Sequence, residues 1–118
     1  MELEIAINQF VANLQAKLDE YNAKHFPSQT KPTIAIEFGG KWCKLIKADN
    51  NSRSMYAFIA LQNFATKELG AVTAGDIHKP ATYKKPAKHA RGNVLQEATW
   101  GCAGPYGIEY LKGPSFKF

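Results

Sequence analysis

The chain has 118 residues, the size of one domain. A domain of this size buries roughly two-thirds of the surface its unfolded chain exposes, so it folds without disulfide or metal staples. Apolar residues make up 45% and aromatics 12% of it, which excludes the disordered and low-complexity classes. Fifteen Lys and Arg against ten Asp and Glu leave a net charge of +5, a moderate basic excess that favours polyanionic partners.

Residues 1–26 read as one helical segment. Over residues 2–25, Leu3, Ile7, Phe10, Leu14, Leu18 and Tyr21 recur at spacings of three and four, with Ala6, Val11 and Ala16 widening the stripe. That is the period of one helix face. The face is expected to cover a sheet. A helix pair in a homodimer is the alternative use of it. Residues 27–32, which open and close on proline, read as a linker.

The period then changes to two. Ile34, Ile36 and Phe38 alternate on a first strand. Gly39-Gly40 is a hairpin turn expected to use glycine's access to positive φ. A second strand covers residues 41–47. Asp49-Asn50-Asn51-Ser52 turns the chain again. A third strand over residues 54–62 is nearly all apolar and therefore central. Residues 63–74 read as a helical turn or a loop. Asp76-Ile77-His78-Lys79 gives a fourth strand closed by Pro80. Residues 82–92 read as a loop, or a short helix opening at Pro86, and Val94 to Trp100 as strand or helix. The C-terminal end is irregular and rich in Gly and Pro. The expected fold is a single α+β domain, with an amphipathic N-terminal helix on a three- to four-stranded antiparallel sheet over residues 33–81. A basic segment and Gly-rich tail fill residues 82–118.

Cys43 and Cys102 form no CxxC pair and read as two free thiols. His25, His78 and His89 are scattered, so no metal or cofactor is expected. Pairing of Cys102 with His78 or His89 as nucleophile and base has no local support, and the chain reads as non-enzymatic. Glu2 and Glu4 stand where a secretory signal carries Lys or Arg. No window approaches the roughly 18 apolar residues of a membrane span. The expected location is cytoplasmic.

The chemistry-bearing feature is the run of residues 78–92. It holds Lys79, Lys84, Lys85, Lys88 and Arg91 and no acid. A helix from Pro86 would align Lys84, Lys88 and Arg91 on one side. Tyr83 lies inside the run, and His78 and His89 add donors. A second basic run lies on the second strand, where Lys41, Lys44 and Lys47 precede Arg53. Trp42 and Lys44 share a strand face there, and could form a stacking and phosphate platform. Lysines and arginines suit phosphate neutralisation and aromatics suit base stacking. The candidate phosphate-binding set is therefore Lys44, Arg53, Lys79, Lys84, Lys85, Lys88 and Arg91. Trp42, Tyr83, His89 and Asn93 are candidates to stack on or read a base. The opposing reading is a solvated lysine face, with Trp42 as a core or rim residue. Charge is also asymmetric: two Lys against four acids in residues 1–30, thirteen basic residues against six acids in residues 31–118.

Three stretches carry a resemblance. Residues 52–59 give an Arg-Ser-hydrophobic strand. Gly75-Asp76-Ile77 is followed by Lys79-Pro80-Ala81 and Tyr83-Lys84, and Pro86-Ala87-Lys88 by Arg91-Gly92-Asn93. Over residues 41–95 this resembles a group of small bacteriophage-encoded proteins. The N-terminal helix and the tail fall outside the likeness, and the insertion before Gly75 is longer than in the group. The resemblance implies a viral protein acting in the host cytoplasm, where small phage proteins counter CRISPR and nucleotide-signalling defences. Three functions are thus in view. The first is a non-catalytic binder of nucleic acid or a nucleotide. The second is a protein–protein inhibitor of a bacterial defence complex, using the acidic helix (Glu2, Glu4, Asp19, Glu20) or the tail aromatics Trp100, Tyr106, Tyr110, Phe116 and Phe118. The third is a phage structural or scaffolding component.

Overall fold

In the computed structural model, the described residues are 2–25, 28, 32–49, 52–104 and 107–108. Helix α1 spans Glu2–His25. Seven strands follow: β1 (Thr33–Phe38), β2 (Trp42–Asp49), β3 (Ser52–Ala60), β4 (Phe64–Thr66), β5 (Gly70–Val72), β6 (Asp76–Pro80) and β7 (Pro86–Asn93). Strands β1, β2, β3, β6 and β7 form one antiparallel sheet in that order. Each lies beside the next, so the sheet is a meander. Between β3 and β6 the chain makes an excursion into a separate hairpin, β4 and β5. A 3₁₀ helix (Glu97–Cys102) and the two-residue strands β8 (Ala103–Gly104) and β9 (Gly107–Ile108) follow β7. No helix among the described residues is long and apolar enough to cross a membrane.

The apolar stripe of α1 lies on one sheet face. Ile7, Phe10, Leu14 and Leu18 join Cys43, Leu45, Ala57, Ile59 and Ile77 in one buried cluster. Trp100 belongs to it too: its ring meets Phe10 edge-on at 5.5 Å, and its Nε1 donates to the Val94 carbonyl. The face that could have formed a homodimer is therefore covered by the sheet. Trp100 is a core residue and not an exposed contact. Tyr106, Tyr110, Phe116 and Phe118 lie outside the described residues. Ala16, expected in the stripe, is exposed, while Asn22 is buried.

Two polar side chains of α1 bind the rest of the chain. Gln15 donates from Nε2 to the Pro32 carbonyl and accepts the Ile34 N–H, which satisfies the start of edge strand β1. Lys17 donates to the carbonyls of Trp100 and Ala103 at the end of the 3₁₀ helix.

The Gly39-Gly40 turn forms, but without positive φ. Gly39 is required by close approach instead: a Cβ there would stand 2.9 Å from the Trp42 carbonyl oxygen. Positive φ falls instead at Gly70 and at Gly75, where it is 92°. The Gly75 N–H donates to the Ala60 carbonyl, returning the chain to the sheet after the hairpin.

Residues 86–93 form no helix. Backbone pairing with β6 makes them a strand, with register shifts between Ile77 and His78 and between His78 and Pro80. Residues 63–74 are a hairpin, and Val94 to Trp100 lead through a turn into the 3₁₀ helix.

Candidate functional site

The candidate site lies on the sheet face opposite α1. Register places Glu37, Lys44, Phe58, His78 and Ala90 in one row across five strands, and Trp42 beside Ala60 in the next. Trp42 is the hub of an aromatic cluster. Its ring meets Phe58 at 5.9 Å, Phe64 at 5.5 Å and His78 at 5.2 Å, each edge-on. Phe64 is brought there by the β4–β5 hairpin, which overhangs this face.

Lysines sit over these rings. Lys41 Nζ lies 5.1 Å from the Phe64 centroid, and Lys44 Nζ lies 6.0 Å from Phe58 and 5.8 Å from Tyr83. Tyr83 is 55% exposed. The turn that presents it is tied by Thr82, whose Oγ1 accepts the N–H groups of Lys84 and Lys85. The N–H groups of Ala81 and Thr82 in turn donate to the Lys85 carbonyl.

Between this turn and the hairpin lies a cleft of about 480 Å³. Trp42, Phe64, Leu69 and Pro86 line it with apolar surface, and Lys41, Lys85, Lys88 and Glu68 bring charge. Among the described residues, none of Lys41, Lys44, Lys85 and Lys88 is ion-paired with a carboxylate.

His78 lies beneath the cleft and is 2% exposed. Its Nδ1 is 2.7 Å from the Ala87 carbonyl oxygen, which only accepts, so Nδ1 carries the proton. Nε2 is buried with no hydrogen-bond partner among the described residues. Burial pushes the His78 pKa below the ordinary 6.5; the Ala87 carbonyl and Asp76 oppose this, and Arg91 and His89 add to it. The unfolded chain therefore binds a proton near pH 6.5 that the folded chain refuses. Stability is full above that value and falls as the pH drops towards the depressed folded pKa. The urea midpoint is expected to decline from about pH 7.5 to about pH 5.5, and His78→Phe to flatten that decline. An unchanged pH profile in the variant would assign the dependence to other groups.

The expected site residues divide. Trp42, Lys44, Tyr83, Lys85 and Lys88 converge on this face, and Lys84 stands exposed on the same turn. The others have different employment. Lys79 donates from Nζ to the Ile108 carbonyl, on the helix side of the sheet. Arg53 pairs with Glu37 at 3.7 Å in an exposed bridge. Arg91 turns its Nε back to the His89 carbonyl, and His89 is exposed on β7. Asn93 is no base reader: it is buried, donates to the Ala74 carbonyl and Asp76 Oδ1, and accepts the Leu95 N–H. The helical alignment of Lys84, Lys88 and Arg91 does not exist, because β7 is extended. Phe58, Phe64, Glu68 and Leu69 are additions that the sequence pattern does not single out. For the three on the hairpin the signal is Gly70, whose φ of 73° closes a tight turn between two short apolar stretches.

A family model matches residues 1–102, and it describes a family of unknown function, DUF7717. The chain belongs to that family. No curated protein and no solved structure matches the chain. The DUF7717 match runs from α1 through the 3₁₀ helix, so it takes in the whole five-stranded sheet and both walls of the cleft.

Neither Cys43 nor Cys102 of this DUF7717 chain is in a disulfide. Burial pushes Cys43 up to about 12, which leaves it a protonated core thiol. Cys102 packs against the helix-side core, whereas His78 lies on the opposite face. Among the described residues no group of three His, Cys, Asp or Glu could hold a metal ion.

Proposed function

We propose that this DUF7717 protein binds, without transforming it, a nucleotide unit, either free or within single-stranded nucleic acid, in the cleft opposite α1. One observation carries the reading: an aromatic floor centred on Trp42 has four lysines around it, three of them lining the cleft, and none is ion-paired with a carboxylate among the described residues. Four like charges around a shared apolar surface repel one another. An amphipathic anion with a flat apolar ring relieves both the charge and the exposed surface. An unpaired nucleotide has that chemistry, whereas a duplex hides the faces of its bases. If the resemblance of residues 41–95 to small phage proteins reflects the protein's origin, this binding would take place in the cytoplasm of an infected bacterium. Sequestering a nucleotide or a single strand there would blunt a defence that depends on it.

The test is anisotropy titration at low salt with labelled single-stranded oligonucleotides, and by competition with mononucleotides. Binding is expected to be tightest at low salt, where counterion release favours it most. Trp42→Ala should weaken it about 10- to 100-fold, the range of one lost base-stacking contact, with Trp42→Phe retaining most of it. Competition by mononucleotides separates a free-nucleotide site from a strand site. Absence of binding to any of these at low salt would sink the proposal.

A further inference from the structure

Glu68 stands at the tip of the β4–β5 hairpin and lines the same cleft as Lys41, Lys85 and Lys88. It forms no ion pair with any of them. A surface that only tracked phosphates would gain nothing from a carboxylate here, because its charge opposes the ligand's. The carboxylate has value if the ligand also offers donors. Thr66 lines the cleft two residues earlier. Its Oγ1 already accepts the Leu69 N–H at 2.9 Å, which leaves the hydroxyl proton to donate elsewhere. The hairpin thus brings a two-oxygen acceptor and a donor to the cleft that the Trp42 and Phe64 rings also line.

Resting on the nucleotide reading above, we infer that the cleft is selective for guanine, with Glu68 as the reading residue. Guanine's Watson–Crick edge carries two adjacent donors, N1–H and the 2-amino group, flanked by the O6 acceptor. The two donors match a carboxylate bidentately, and O6 matches the Thr66 hydroxyl. Adenine and cytosine each set a bare ring-nitrogen lone pair where the carboxylate needs a second donor. Uracil and thymine offer a single N–H between two carbonyls. The three lysines then take the phosphate while the base lies against Trp42.

The chemical test is competition by GMP, IMP, AMP, CMP and UMP against wild type and Glu68→Gln. IMP differs from GMP only by the missing 2-amino group. Wild type is expected to bind GMP at least tenfold more tightly than IMP and the other three. Glu68→Gln should lose at least tenfold in GMP affinity and most of the GMP-over-IMP preference, with AMP affinity unchanged or improved. Glu68 is an exposed turn residue, so the variant keeps the fold. Equal affinities across the five nucleotides, or tighter GMP binding by Glu68→Gln, would overturn guanine selectivity and leave nucleotide binding standing. Failure of all five nucleotides and of the oligonucleotides would overturn both.

Discussion

Replacing Phe10 with alanine is expected to lower the unfolding free energy by about 3–5 kcal/mol, the range for truncating a fully buried aromatic. The position follows from the sequence, since Phe10 sits mid-stripe between Ile7 and Leu14. The structure also makes it a tie between elements. Its ring, 1% exposed, holds Trp100 edge-on and so joins α1 to the 3₁₀ helix after β7. The loss is large against the roughly 5–15 kcal/mol that stabilise a whole domain. Urea denaturation followed by circular dichroism should show a lower midpoint with an unchanged slope. Ile5→Ala is the control. Ile5 lies on the same helix but is 56% exposed, so its change should stay within about 0.5 kcal/mol. Equal effects at the two positions would mean that the helix is not seated on the sheet as described.

Legibility follows periodicity. The helix is readable to its ends because leucines, isoleucines and phenylalanines repeat at 3.6, and β1 to β3 are readable because their apolar residues alternate or run together. β7 is not. Pro-Ala-Lys-His-Ala-Arg-Gly-Asn offers only two small apolar residues besides its proline, and two register shifts break what alternation they could show. Its place in the sheet comes from backbone pairing with β6, which side-chain pattern does not report. The β4–β5 hairpin is obscured in another way: three-residue strands are too short to display a period, and only Gly70 marks the turn between them.

The candidate site is legible in composition more than in geometry. Trp42 and Lys44 fall on one face because they are two residues apart, and that much follows from the pleat. The basic run of residues 78–92 presents five cations alike, yet the fold separates them. Lys85 and Lys88 face the cleft, while Lys79 is drawn to the helix side by the Ile108 carbonyl. Asn93 and Gly75 resemble parts of a functional motif in sequence. Their contacts show a structural pair instead: a Cβ on Gly75 would stand 2.6 Å from Asn93 Oδ1. The Gly-Asp-Ile and Arg-Gly-Asn stretches therefore serve, at least at these two residues, to close the β6–β7 end of the sheet.

This separation of the lysines makes the second large prediction. If Lys85 and Lys88 each neutralise a phosphate, the Lys85→Gln/Lys88→Gln double variant should bind single-stranded oligonucleotides on the order of 25-fold more weakly at about 0.1 M salt. The slope of log K against log salt should be shallower by about 1.4, since each phosphate contact to a single strand contributes about 0.7. Both side chains are exposed, so the variant should melt like wild type. Lys79→Gln removes a charge from the same sequence run and should leave the slope nearly unchanged, because its ammonium is engaged at Ile108 on the other side of the sheet. The comparison decides between a site and a charge run. A diffuse basic surface responds to the number of lysines removed, so the single variant would show about half the slope change of the double one. A built cleft responds to which lysines they are, and Lys79→Gln would then lower stability in a melt without moving the salt dependence.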